Sequence, residues 1–80
     1  MRAKTKNNKN GHVYKVIELV GTSEESVEGA VQNAVGRASK TLKNLRWFEL
    51  IRVTGDIADG RVGHYQVSMK VGFTLDGASG

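Results

Sequence analysis

The spacing of apolar positions changes twice along this chain. From His12 to Val20, "HVYKVIELV" is dense in β-branched and aromatic residues with apolar groups on both faces, and predicts a first strand that Gly21 ends. The period then lengthens. Val27, Ala30, Val31, Ala34, Ala38, Leu42 and Leu45 recur at three- and four-residue spacing, which is one apolar stripe on a helix. Thr22 and Glu25 fit a capping box, with Ser23 as the other candidate cap, and predict a helix of about 18 residues, roughly 27 Å long. Glu24, Glu25 and Glu28 near its start and Arg37, Lys40 and Lys43 near its end match the helix dipole. Gly29 and Gly36 lie seven residues apart on similar sides of this helix, where another backbone could approach closely.

The period shortens again in "LRWFELIRVTGDI" and "RVGHYQVSMKVGFTL", which flank Ala58, Asp59 and Gly60. Asp-Gly is a favoured two-residue hairpin turn, and placing it at 59 and 60 pairs Ala58 with Arg61 and, further back, Trp47 with Gly72. One face of the hairpin then carries Phe48, Leu50, Tyr65, Val67, Met69, Val71 and Phe73, a core face that the single helix is expected to cover. The other carries Trp47, Glu49, Ile51, Val53 and Ile57 with Val62, His64, Gln66, Ser68 and Lys70. This second face is mixed and partly apolar, and no second layer is predicted to cover it. Each arm has about 13 residues, roughly 43 Å of strand, longer than the helix can shield. Self-association is the expected solution. The predicted class is α+β, in the order β-α-β-β.

Composition narrows the chemistry. Eighty residues make one domain that buries a modest core, and with no cysteine there is neither a disulfide to staple it nor a thiolate for metal or catalysis. The net charge of +4 suggests an acidic partner until its distribution is followed. Arg2, Lys4, Lys6 and Lys9 fall in "MRAKTKNNKN", which holds no acid, so the remaining residues balance to zero. Residues 1–11 are therefore expected to be a disordered basic tail, residues 12–75 the folded domain and residues 76–80 a short flexible end. No apolar run has the roughly 20 residues of a membrane span, so the chain is expected to be cytoplasmic with no membrane partner. His64 is the one imidazole on the outward face, and no Ser-His-Asp or metal-ligand spacing surrounds it. Neither catalytic nor metal-binding residues are expected, and the chain is not expected to be an enzyme.

Three stretches, "ELVGTSEES" before and into the helix, "WFE" after it and "YQV" in the last strand, together resemble the dodecins, small flavin-binding proteins that assemble as hollow dodecamers. The likeness spans residues 12–75. It implies a three-stranded antiparallel sheet partly wrapped around one helix, and a homododecamer. It further implies that flavins stack in pairs between tryptophans of symmetry-related chains, the match here being Trp47, and that Gln66 hydrogen-bonds the polar edge of the ring. Arg46, Glu49 and His64 are secondary candidates for the same site. The implied role is storage of flavin and suppression of its photochemistry, since a stacked indole quenches the excited ring.

In the derived register Gln66 lies six residues along the strand from Gly72, roughly 20 Å from the partner of Trp47. Each site is accordingly expected to draw Trp47 and Gln66 from different chains. Many dodecins carry Arg where this chain has Thr54 and Thr74. Arg46 and Arg52 are nearby substitutes as phosphate anchors, but strict alternation puts both on the helix side. The expected ligand is riboflavin or flavin mononucleotide (FMN), with coenzyme A as a further class. Two other readings compete: a dodecin-like shell that binds no flavin, and binding of nucleic acid or an acidic partner through the basic tail, in which nucleic acid is not the expected partner.

Overall fold

A computed structural model describes residues 13–75. The expectations for residues 1–11 and 76–80, and for His12 at the start of the first strand, lie outside the described residues. Strand β1 is Tyr14–Ser23, helix α1 is Val27–Ala38, and strands β2 (Leu45–Ala58) and β3 (Arg61–Thr74) form the hairpin. The three strands make one antiparallel sheet in the order β1-β3-β2, so β3 is central and the expected β-α-β-β arrangement holds.

The first boundary differs from the expectation. Strand β1 runs through Gly21 to Ser23, pairing Gly21 with Val67 and Thr22 with Gln66. Glycine serves here for clearance and does not end the strand: a Cβ at Gly21 would collide with the Ala30 carbonyl and stand 2.8 Å from Ala34 Cβ. The helix thus packs directly on the strand backbone. This close approach was expected at Gly29 and Gly36, yet a Cβ at Gly36 would meet nothing within 4 Å, and at Gly29 it would meet only serine side chains.

The cap lies further along than Thr22 or Ser23. Ser23 Oγ accepts from the N–H groups of Glu25 (3.0 Å) and Ser26 (3.3 Å), which closes a short turn. Ser26 is then extended, and its Oγ accepts from Gly29 N–H at 2.8 Å, making it the N-cap. The helix is therefore 12 residues, about 18 Å, not 18 residues. Its apolar stripe ends at Ala38; Leu42 falls in the turn that follows, and Leu45 reaches the core from the first position of β2.

So short a helix covers only part of the sheet. Ala30, Val67, Met69 and Val71 are buried, with Ile17, Leu19, Val27, Val31, Ala34, Val35 and Leu45 packed around them. That core joins α1 to β1 and β3. Strand β2 lies beyond the helix and is exposed at every position after Leu45, so Phe48 and Leu50, expected under the helix, are 51% and 39% exposed.

The turn is as expected, with positive φ at both Asp59 and Gly60 and Ala58 opposite Arg61. The pairing behind it is not regular. Gly63 is skipped on β3 and Ile51 on β2, and the two irregularities offset each other. Trp47 still faces Gly72 as the simple register requires, but residues 52–56 are displaced by one, so Gln66 faces Thr54 and not Val53. Directly opposed residues share a face. Val53, opposite buried Val67, therefore belongs to the helix side, and Arg52, opposite Ser68, belongs to the outward side. Both reverse the expectation from strict alternation.

Candidate functional site

The outward face of the sheet is read most simply as rows across β1, β3 and β2: Val16–Gly72–Trp47, Glu18–Lys70–Glu49, Val20–Ser68–Arg52 and Thr22–Gln66–Thr54. The first row holds the only indole. An additional unpaired residue, Arg46, precedes Trp47 and separates its pairing from that of Leu45 with Phe73. The indole lies over the backbone of Gly72: a Cβ built there would collide with Cε2 and Cζ2 and come within 2.7 Å of Nε1. Glycine leaves the space in which the ring lies against the sheet. Trp47 is nonetheless 42% exposed, which leaves part of the ring available to a partner. Phe48, by contrast, faces Val71 on the helix side.

Thr74 follows Gly72 on the same face. It is buried, its N–H donates to Asn44 O at 3.2 Å, and its hydroxyl has no hydrogen-bond partner among the described residues. A buried hydroxyl without a partner carries a free-energy cost that a polar ligand or neighbouring chain would remove. Trp47 thus has an unsatisfied polar group on the adjacent row.

Gln66 occupies the centre of the sheet, half-buried between Thr22 and Thr54. The six residues between Gln66 and Gly72 correspond to roughly 20 Å of strand. The structure puts Trp47 and Gln66 on one face without bringing them together. The hollow next to the indole, lined by Val35, Leu45, Arg46, Trp47, Phe48 and Val71, measures about 160 Å³, smaller than the roughly 300–1,000 Å³ of a small-molecule pocket. A larger open groove of about 610 Å³ runs between α1 and the edge of β1, past Asn33, Arg37 and Lys40. It contains neither Trp47 nor Gln66.

The secondary candidates separate. Arg46 adjoins the indole at the irregular position. Glu49 shares its row with Lys70 and Glu18, a carboxylate-ammonium-carboxylate arrangement that compensates charge across the sheet. His64 is tied to the hairpin: Asp56 Oδ1 accepts from its backbone N–H at 2.8 Å and lies 2.9 Å from its Nδ1. The carboxylate fixes the ring where the strand is irregular. Among the described residues no group of three or more His, Cys, Asp or Glu side chains could hold a metal ion.

Sequence reasoning placed Arg52 on the wrong face. One signal was available, since strict alternation set its guanidinium in the same apolar row as Leu50 and Phe48. A charge at such a position is the trace of a parity change.

The fold and this face define a small α+β binding domain whose aromatic and amide groups occupy a sheet surface that its own helix leaves bare. Comparison with known proteins gives the family. The dodecin family model matches residues 13–76. The dodecin of Thermus thermophilus is 53% identical over 66 residues, which is 82% of this chain and 96% of that protein. The structure of a dodecin from Streptomyces davaonensis superposes with a TM-score of 0.78 at 52% identity, covering 84% of this chain and 98% of that one. A calcium dodecin from Mycobacterium tuberculosis is more distant, with a TM-score of 0.68 and 33% identity over 79% of this chain and 90% of its own. The chain belongs to the dodecin family, whose members are non-enzymatic, flavin-binding proteins. No helix among the described residues is long and apolar enough to cross a membrane.

Proposed function

We propose that this chain assembles as a hollow homododecamer that stores flavin and suppresses its photochemistry, with Trp47 as the stacking platform and Gln66 as the reader of the polar edge of the ring. The observation that carries the reading is the indole laid over Gly72 on an uncovered face, 42% exposed, in a chain from a flavin-binding family.

Residue chemistry supports it. A flavin supplies a large apolar, redox-active ring with a hydrogen-bonding edge. The exposed indole of Trp47 contributes stacking worth on the order of 1–3 kcal/mol, by analogy with nucleic-acid bases on aromatics. It is also an electron donor to an excited ring stacked on it, which quenches fluorescence. The Gln66 amide offers both a donor and an acceptor. The unpartnered hydroxyl of Thr74 offers a further contact beside the indole.

Since roughly 20 Å of strand separates the two rows, the Trp47 of one chain and the Gln66 of another form each site. Bare β2, with Phe48, Leu50 and Val53 exposed on its helix side, supplies the apolar surface for that assembly.

The test is a titration of flavin-free protein with riboflavin, following flavin fluorescence, with Trp47→Ala alongside. Quenching is expected to saturate near one flavin per chain and to disappear in the variant. Quenching that survives Trp47→Ala would contradict the stacked site. No quenching in either protein would leave a shell that binds no flavin, and binding of an acidic partner that falls steeply with salt would favour the basic tail instead.

A further inference from the structure

Arg52 stands apart from the other cations of the outward face. Lys70 has Glu18 on one side of its row and Glu49 on the other. The row of Arg52 contains Ser68 and Val20, and the next row Gln66, Thr22 and Thr54, with no carboxylate in either. On its other side is the row of Glu18, Lys70 and Glu49, whose two carboxylates flank Lys70, and beyond the Gln66 row Asp56 already holds His64 at 2.9 Å. Among the described residues Arg52 has no ion-pair partner, and it is exposed.

Its position is set by one irregularity. Without the additional residue at Ile51, residue 52 would share a face with Leu50 and Met69. The register shift between Leu50 and Arg52 turns it outward. It is then the diagonal neighbour of Gln66, with backbones roughly 7–8 Å apart. A guanidinium on a three-carbon stem has the length to approach the Gln66 amide across the same surface. A planar fork with five donors and no carboxylate in ion-pair contact among the described residues suits a phosphate better than it suits a neutral hydroxyl.

We infer that Arg52 is the residue that distinguishes phosphorylated from unphosphorylated flavin, by holding the terminal phosphate of FMN while Gln66 of the same chain reads the ring edge. The inference rests on the flavin-binding reading above and assigns its phosphate subsite. Thr54 and Thr74 offer no charge for that purpose. The anchor comes instead from a side chain turned to the ligand face by a strand irregularity.

The experiment titrates the assembled full-length protein with riboflavin and with FMN, following flavin fluorescence, for the unaltered chain and for Arg52→Gln, Arg52→Lys, Arg46→Gln and Lys70→Gln. FMN is expected to bind roughly tenfold tighter than riboflavin at low salt, the size of one charge-assisted contact. The gap should narrow at about 1 M salt, where the Debye length is about 3 Å. Arg52→Gln should bring the two affinities together by weakening FMN alone. Arg52→Lys should keep part of the gap, since the charge remains and the fork is lost, and Arg46→Gln and Lys70→Gln should keep most of it.

Equal affinities in the unaltered chain, or a gap that survives Arg52→Gln, would overturn the assignment while riboflavin quenching left the flavin site standing. A gap abolished by Arg46→Gln and untouched by Arg52→Gln would transfer the role to Arg46 and overturn it equally. Failure of both ligands to bind would overturn the flavin reading and this inference with it.

Discussion

Met69 and Leu50 are direct partners on one face of the same sheet, yet Met69 is fully buried and Leu50 is 39% exposed. The same contrast holds for Val71 against Phe48 and for Val67 against Val53. Residues a strand apart, on similar backbone and of similar apolarity, differ because α1 crosses β1 and β3 and stops there. A 12-residue helix, about 18 Å long, cannot cover hairpin arms of 14 residues, roughly 46 Å. One half of the sheet is a finished core and the other is half of one. The uncovered half also carries the groups with binding chemistry, so assembly and ligand recognition are joined in the proposed function.

Substitutions on the two sides should therefore fail differently. Met69→Ala opens a cavity in the finished half, and we expect it to cost about 2–5 kcal/mol, read as a lowered denaturation midpoint. A cost below about 1 kcal/mol would mean that the helix-covered core is not what holds the chain.

Gly21→Val places a branched side chain against the Ala30 carbonyl and Ala34, and overpacking at that contact should cost about 1–3 kcal/mol. Tolerance without loss would show that α1 can lift from β1. Phe48→Asp should leave the core of the single chain in place and release small species from the assembly, seen by light scattering after gel filtration. An unchanged particle mass would exclude this part of β2 from the interface.

Gly72→Ala has the smallest expected effect on folding and the most local one. Its methyl must displace the Trp47 indole, so flavin quenching should fall while the particle mass is kept. Unaltered quenching would separate the indole-glycine contact from ligand binding.

Much of this architecture is legible in the sequence because local signals agree with one another. Asp59-Gly60 fixes the turn, and the turn alone suffices to place Trp47 opposite Gly72 on the outward face. What sequence reading misses is governed by three-dimensional fit. The apolar spacing runs on past the helix end at Ala38 because Leu45 also meets the core from β2, with Leu42 in the turn between them. Three serine or threonine candidates within five residues could cap it, and the choice of Ser26 follows from the continuation of β1 through Gly21.

The irregularities at Ile51 and Gly63 leave no mark in the turn or in the pairing of Trp47, because they offset each other. They are visible only in the residues between them. That is why the face of Gln66 was read correctly and that of Arg52 was not: a strand residue on β3 keeps its parity from Trp47's partner, whereas Arg52 lies just past the additional residue on β2.

The most direct test of the central claim, that copies of this chain complete its bare sheet and thereby create the flavin site, is native mass spectrometry of the protein titrated with riboflavin. The account predicts a particle of twelve chains of 8.7 kDa that takes up flavin to about one per chain, with no flavin on any free monomer. Flavin bound to the monomer, or a single chain that remains alone at micromolar concentration, would contradict it.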